Sequence, residues 1–124
     1  MQSDRPVNLN LFAFSWPLAA LVSITHRITG VVLFVGIGFG LYALQLALSS
    51  PEGFVEAAVL LDEPLPKFIL LALVFVLVFH IVAGIKHLLL DFHLGDSLRA
   101  SQIGSWVVIL ATIVLTALLG VSLW

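Results

Sequence analysis

Phe68-Ile-Leu-Leu-Ala-Leu-Val-Phe-Val-Leu-Val-Phe-His80-Ile-Val-Ala-Gly84-Ile-Lys86-His87-Leu-Leu-Leu-Asp91 is the stretch that decides how this chain folds. No charged residue stands between Phe68 and Ile85, and apolar residues continue past Lys86 and His87 to Leu90. A helix needs about 20 apolar residues, rising about 1.5 Å each, to cross the hydrocarbon of a bilayer. The run is continuously apolar instead of alternating, which points to a helix and away from a barrel strand. Two further runs read the same way: Ile28 to Pro51 and Ala100 to Trp124 carry no charge. The sequence therefore predicts an all-α membrane protein with three transmembrane helices at approximately residues 22–49, 67–91 and 103–123. These form a single membrane-anchor domain over 1–124, preceded by a cytoplasmic segment at 1–21.

Composition agrees. Of the 124 residues, 61% are hydrophobic and 10% charged, with mean hydropathy +1.20. Soluble domains are about half apolar and about a quarter charged, and a fold this small leaves too much surface exposed to hide such a load. Disorder is excluded by the same numbers. With no cysteine, this chain holds no disulfide, thiolate zinc or iron–sulfur cluster. Five Lys and Arg against seven Asp and Glu leave no basic patch for a nucleic acid.

Turn chemistry marks the breaks. Ser49-Ser50-Pro51-Glu52-Gly53 ends the first helix, and Glu52, Glu56, Asp62 and Glu63 read as an exposed acidic loop. Pro64 and Pro66 precede the second helix, and Asp91 to Ser101 forms a short polar connection. A cytoplasmic N-terminus puts Arg5, Arg27, Lys86 and Arg99 on one side and Lys67 alone on the other. That bias favours a cytoplasmic N-terminus and a periplasmic C-terminus. The N-terminal residues have no cleavable-signal pattern and too few Arg for a transit peptide, which favours a bacterial inner membrane.

Ionisable groups inside a bilayer are costly, and default to functional candidates. At 3.6 residues per turn, His80, Gly84, His87 and Asp91 fall within about 60° of one another, on one face. Lys86 lies off that face, near an end where its long stem can snorkel. Counted from Phe68, His80 is about 18 Å deep and His87 about 10 Å further on. A neutral imidazole at mid-bilayer needs a metal or a hydrogen-bond partner, and Gly84 leaves a gap where a flat group could lie against the backbone. Entering the first span, Ser23, His26, Arg27 and Gly30 share another face, at the depth of His87 and Asp91. His93 reads as solvated. Gly36 and Gly40 form a GxxxG that signals close helix packing, and Trp16, Trp106 and Trp124 suit interfacial belts.

Two chemistries fit these stripes. Haem b needs imidazole on its iron and cations at its propionates, so His80 is the candidate iron ligand, with His26, Arg27 or His87 at propionate depth. A quinone needs donors at its carbonyl oxygens and charge to stabilise the reduced anion, a job suited to Ser23 and Arg27. The offset along one helix keeps His80 and His87 off one iron, and His26 lies too near the surface to meet His80. A second ligand for His80 then comes from another chain. The alternative pairs His26 with His87, which match in depth. A purely structural tether and a small transporter using the buried His as a proton relay are the other classes. No broken helix or inverted repeat supports the transporter.

Arg5-Pro-Val-Asn-Leu9, Ser23-Ile-Thr-His-Arg-Ile-Thr-Gly30, His80-x-x-x-Gly84-Ile-Lys-His87-Leu-Leu-Leu-Asp91 and the Ser49-Ser-Pro-Glu-Gly-Phe54 segment closely resemble the cytochrome b556 membrane-anchor subunits of succinate dehydrogenase, respiratory complex II. The resemblance runs from about residue 5 to the C-terminus. It implies a three-helix chain forming half of a heterodimeric anchor bundle, paired with a second small anchor subunit and carrying iron–sulfur and flavoprotein subunits. One haem b would lie between the two anchors, with His80 as one axial ligand and the partner anchor supplying the other. His26, Arg27 and His87 would lie near the propionates, and Ser23 and Arg27 would line the site for ubiquinone, the substrate. No residue here would act on succinate. The family often has Arg where Lys86 stands. A fumarate reductase anchor, running the same architecture in reverse, is the nearest alternative.

Overall fold

The computed structural model describes Asn10 and residues 15–123. The Arg5–Leu9 motif, Arg5 as an orientation residue and Trp124 as a belt residue lie outside the described residues. The described chain is all α, with no strand, in four helices: α1 (Leu18–Ser49), α2 (Pro51–Asp62), α3 (Pro64–Asp91) and α4 (Leu98–Leu123). Three of them, α1, α3 and α4, are long and apolar enough to span a membrane. Without water, each backbone polar group must bond within the chain, and a helix satisfies them all internally.

The long helices pack mutually, with α3 against both α1 and α4. Their common core is Val22 of α1, Phe79 and Ala83 of α3 and Val108 of α4, with Val82 against it. Ser105 and Thr112 are also fully buried in the α4 seam. Their hydroxyls donate one turn back, to Ser101 O at 2.9 Å and Val108 O at 2.7 Å, so small polar residues enter the seam without stranding a donor. The Lys86 stem lies along Gly104 of α4, where an added Cβ would stand 3.3 Å from its Cε. Lys86 is therefore buried, its methylenes covering a helix seam. Large apolar side chains point outward elsewhere, as Phe34, Val35 and Val121 do.

The acidic stretch after the first span is not a loop. It is helix α2, and the residues read as a stop are its start. Ser50 Oγ accepts from Gly53 N at 2.9 Å, Pro51 occupies the first turn and Glu52 lies beside the free N–H groups. Each is a helix-start feature. The acids are exposed as expected, while Gly53 and Ala57 are buried. Gly53 must be small: a Cβ there would stand 2.5 Å from the Leu46 carbonyl oxygen of α1. Losing the Ser50 cap in Ser50→Ala is expected to loosen α2 by about 1 kcal/mol. Faster amide exchange across residues 51–62, with α1 unchanged, is the reading that checks it.

The other boundaries shift for related reasons. Pro64 and Pro66 do not precede α3 but form its first turn, where a missing N–H costs nothing. Ser97 Oγ accepts from Ala100 N at 3.3 Å, starting α4 at Leu98 and shortening the polar connection. Lys67 reaches back to Asp62 at 2.5 Å. Its hydrogen bond and charge hold the Asp62 carboxyl below the usual carboxylate range. This link is present at neutral pH and is lost as pH falls through that lowered value.

Helix α3 ends with His93 in the left-handed region, φ 59°. His93 N donates to Leu90 O and Leu94 N to Leu89 O, both at 2.9 Å, the pattern of a Schellman cap. The His93 side chain is exposed, 3.8 Å from Asp96. A left-handed L-residue costs about 1–2 kcal/mol, more than the roughly 0.5–1 kcal/mol of extra entropy that glycine loses. His93→Gly is therefore expected to raise the thermal midpoint of the detergent-solubilised protein.

Candidate functional site

The antiparallel contact of α1 with α3 places glycine opposite histidine twice. A Cβ on Gly30 would stand 3.2 Å from His80 Cε1, and one on Gly84 would stand 3.4 Å from His26 Nε2. Each glycine lets the facing imidazole lie against bare backbone. The gap expected at Gly84 thus receives the His26 ring from α1.

Three imidazoles collect there. His26 stacks on His80 with centroids 4.1 Å apart and planes 14° from parallel. His26 also meets His87 at 5.0 Å, tilted 50°. The expectation that His26 lies too near the surface to meet His80 is therefore wrong. Depth counted from Phe68 set His80 too far from His26, because it ignored which residues face each other. With Gly30 opposite His80, the offset is one turn, about 6 Å, and the His26 ring spans it through the space at Gly84.

His80 is anchored at one nitrogen. Its Nδ1 lies 2.9 Å from Thr29 Oγ1 and 3.1 Å from the His26 carbonyl oxygen. Thr29 is buried, 7% exposed, and its hydroxyl donates to that same carbonyl at 2.8 Å. An imidazole whose Nδ1–H is bonded to protein oxygen is the usual arrangement for a metal-binding histidine, because it leaves the Nε2 lone pair for the metal. The residues present therefore fit an iron-bound ring at position 80. The His26–His87 alternative fits poorly. A metal between them needs about 2 Å to each nitrogen, and rings 5.0 Å apart at 50° touch each other instead of facing across a macrocycle. Among the described residues no three His, Asp or Glu side chains converge to hold a metal ion.

Ser23 is half-buried and Arg27 exposed on α1. His26 of α1 meets His87 of α3, so both expected stripes reach one end of the bundle. A groove of about 450 Å³ lined by Phe39, Ala43, Phe54, Ala57 and Leu73 lies at the opposite end, away from these polar groups. Sequence reasoning missed Thr29. Its signal was present: a Thr three residues after His26 can bond back to that carbonyl, and Gly30 follows it.

Residues 1–119 match the family described as succinate dehydrogenase/fumarate reductase transmembrane subunit. Among curated relatives, the succinate dehydrogenase cytochrome b556 subunit of Coxiella burnetii is 34% identical over the full length of both chains. The cytochrome b556 subunit of Paracoccus denitrificans is 32% identical over 94% of this chain and 90% of its own. The human mitochondrial cytochrome b560 subunit is 37% identical over 94% of this chain and 69% of its own.

Proposed function

This chain belongs to the succinate dehydrogenase/fumarate reductase transmembrane subunit family, and we propose that it is the anchor of a succinate:ubiquinone oxidoreductase that helps hold haem b and bind quinone. The observation that carries the reading is the anchored His80 ring, its Nδ1 on Thr29 Oγ1 and the His26 carbonyl. When bound, haem b supplies one-electron redox chemistry. His80 would hold it through Nε2, together with a residue from a second small anchor subunit. His26, Arg27 and His87 would lie at the propionates. Iron–sulfur and flavoprotein subunits would dock at the Arg27 end and deliver electrons from succinate.

At that end, Ser23 would donate a hydrogen bond to a quinone carbonyl oxygen, and Arg27 would stabilise the negative charge developing there. The test is purification with the partner chains, a mass determination of each, and a reduced-minus-oxidised spectrum. A haem b band with a second small anchor supports the reading. A colourless complex reduces the chain to a tether. The named relatives favour succinate oxidation over the fumarate reductase alternative; menaquinone as the bound quinone would reverse that preference.

We also propose a cytoplasmic N-terminus in a bacterial inner membrane. Arg27, Lys86 and Arg99 lie at one end of the bundle and Lys67 at the other, the bias expected of a cytoplasmic Arg27 end. Because the chain lacks cysteine, single cysteines report orientation cleanly. A membrane-impermeant thiol reagent outside intact cells is expected to label Glu56→Cys and not Asp96→Cys; the reverse pattern inverts the topology.

A further inference from the structure

His80 has only acceptors around its Nδ1. Thr29 Oγ1 has a single proton, which it donates to the His26 carbonyl oxygen 2.8 Å from Oγ1. What Thr29 then offers His80 at 2.9 Å is a lone pair. The second neighbour of Nδ1, the His26 carbonyl oxygen at 3.1 Å, has no proton to give. If Nδ1 were bare, it would face that carbonyl lone pair to lone pair inside a low-dielectric seam. Protonation of Nδ1 satisfies both contacts at once. The ring is further confined by the His26 imidazole stacked on one face and by Gly30 against Cε1.

We propose that Thr29 is a positioning residue for His80: with the His26 carbonyl, it locks the imidazole in the Nδ1–H tautomer and aims Nε2 away from α1. This rests on the reading of His80 as an iron ligand. The hydroxyl does two things that the carbonyl alone cannot. It adds a second acceptor at Nδ1, making the ring a stronger electron donor through Nε2. It also ties the ring to a buried helical side chain, fixing its rotation. A more basic ligand favours ferric over ferrous iron, so removing the hydroxyl raises the midpoint potential.

The test uses the complete complex carrying Thr29→Val, which keeps the shape and deletes the hydroxyl, and Thr29→Ser, which keeps the hydroxyl. The readouts are haem content, the ferric low-spin electron paramagnetic resonance signal and the haem midpoint potential. Thr29→Val is expected to weaken haem retention on the order of 10-fold and to raise the potential. A tenfold loss of ferric over ferrous preference reads as about 59 mV for one electron. Thr29→Ser is expected to restore the wild-type potential. A merely structural Thr29 would lower thermal stability without moving the potential of the haem that remains. If Thr29→Val does not assemble, Thr29→Ala carries the same expectation, since it only removes atoms. Wild-type potential and haem content in the hydroxyl-less variant overturn the lock, while loss of haem in His80→Ala leaves the ligand reading intact. If His80→Ala itself keeps six-coordinate haem, the ligand reading fails and the lock falls with it.

Discussion

The complex carrying His80→Ala is expected to assemble without six-coordinate, low-spin haem b. In a bilayer seam no water substitutes for the missing imidazole at His80 depth, and the two remaining rings are ill placed to replace it. His26 is engaged in stacking over Gly84, and His87 lies two turns along α3, about 10 Å from the His80 level. Haem would be lost or held by the partner's ligand alone. Both outcomes change the spectrum qualitatively, so the result does not depend on a small difference. Thermal stability should fall as well, because a group that binds only the folded complex adds stability by mass action. An unchanged low-spin spectrum from His80→Ala overturns the assignment.

The second large effect is expected in quinone reduction. Arg27→Leu removes the fixed charge proposed to face the reduced quinone oxygen, and donors of this kind are worth about 10²–10³ in turnover. Ser23→Ala removes one neutral hydrogen bond, worth roughly 1 kcal/mol or somewhat more, hence about 10-fold. The effects should separate by substrate. Electron transfer from succinate to a water-soluble dye, which does not need the quinone site, should survive both substitutions. Since Arg27 also stands at the proposed propionate end, haem content must be read alongside. Loss of quinone reduction with haem retained assigns Arg27 to quinone, whereas equal loss of haem and quinone activity assigns it to the propionates. Wild-type quinone reduction in both variants removes these residues from the site.

Much of this architecture was legible in the residues alone, because a bilayer permits few folds. Uninterrupted apolar runs can satisfy their backbone only as helices, so the spans of α1, α3 and α4 follow from local composition. Boundaries were less legible. Ser50-Pro51-Glu52-Gly53 carries a stop and a start in the same residues, and the start was overlooked because α2 is too short to span. The histidines were legible as candidates, since each is conspicuous among apolar neighbours. Thr29 was not conspicuous, because a threonine in a helix ordinarily bonds its own backbone.

By itself the sequence determined that this is a three-span membrane chain, which helix faces carry its polar groups, and that no metal chemistry here can use thiolate. Only the tertiary structure decided which residue faces which. The register that sets Gly30 against His80 and His26 against Gly84 depends on side-chain volumes meeting across two helices far apart in the chain. Helical periodicity carries no information about the axial slide of one helix past another. A slide of one turn moves His26 from the His87 level to stacking on His80, and brings a threonine hydroxyl and a backbone carbonyl to the nitrogen that orients the ring.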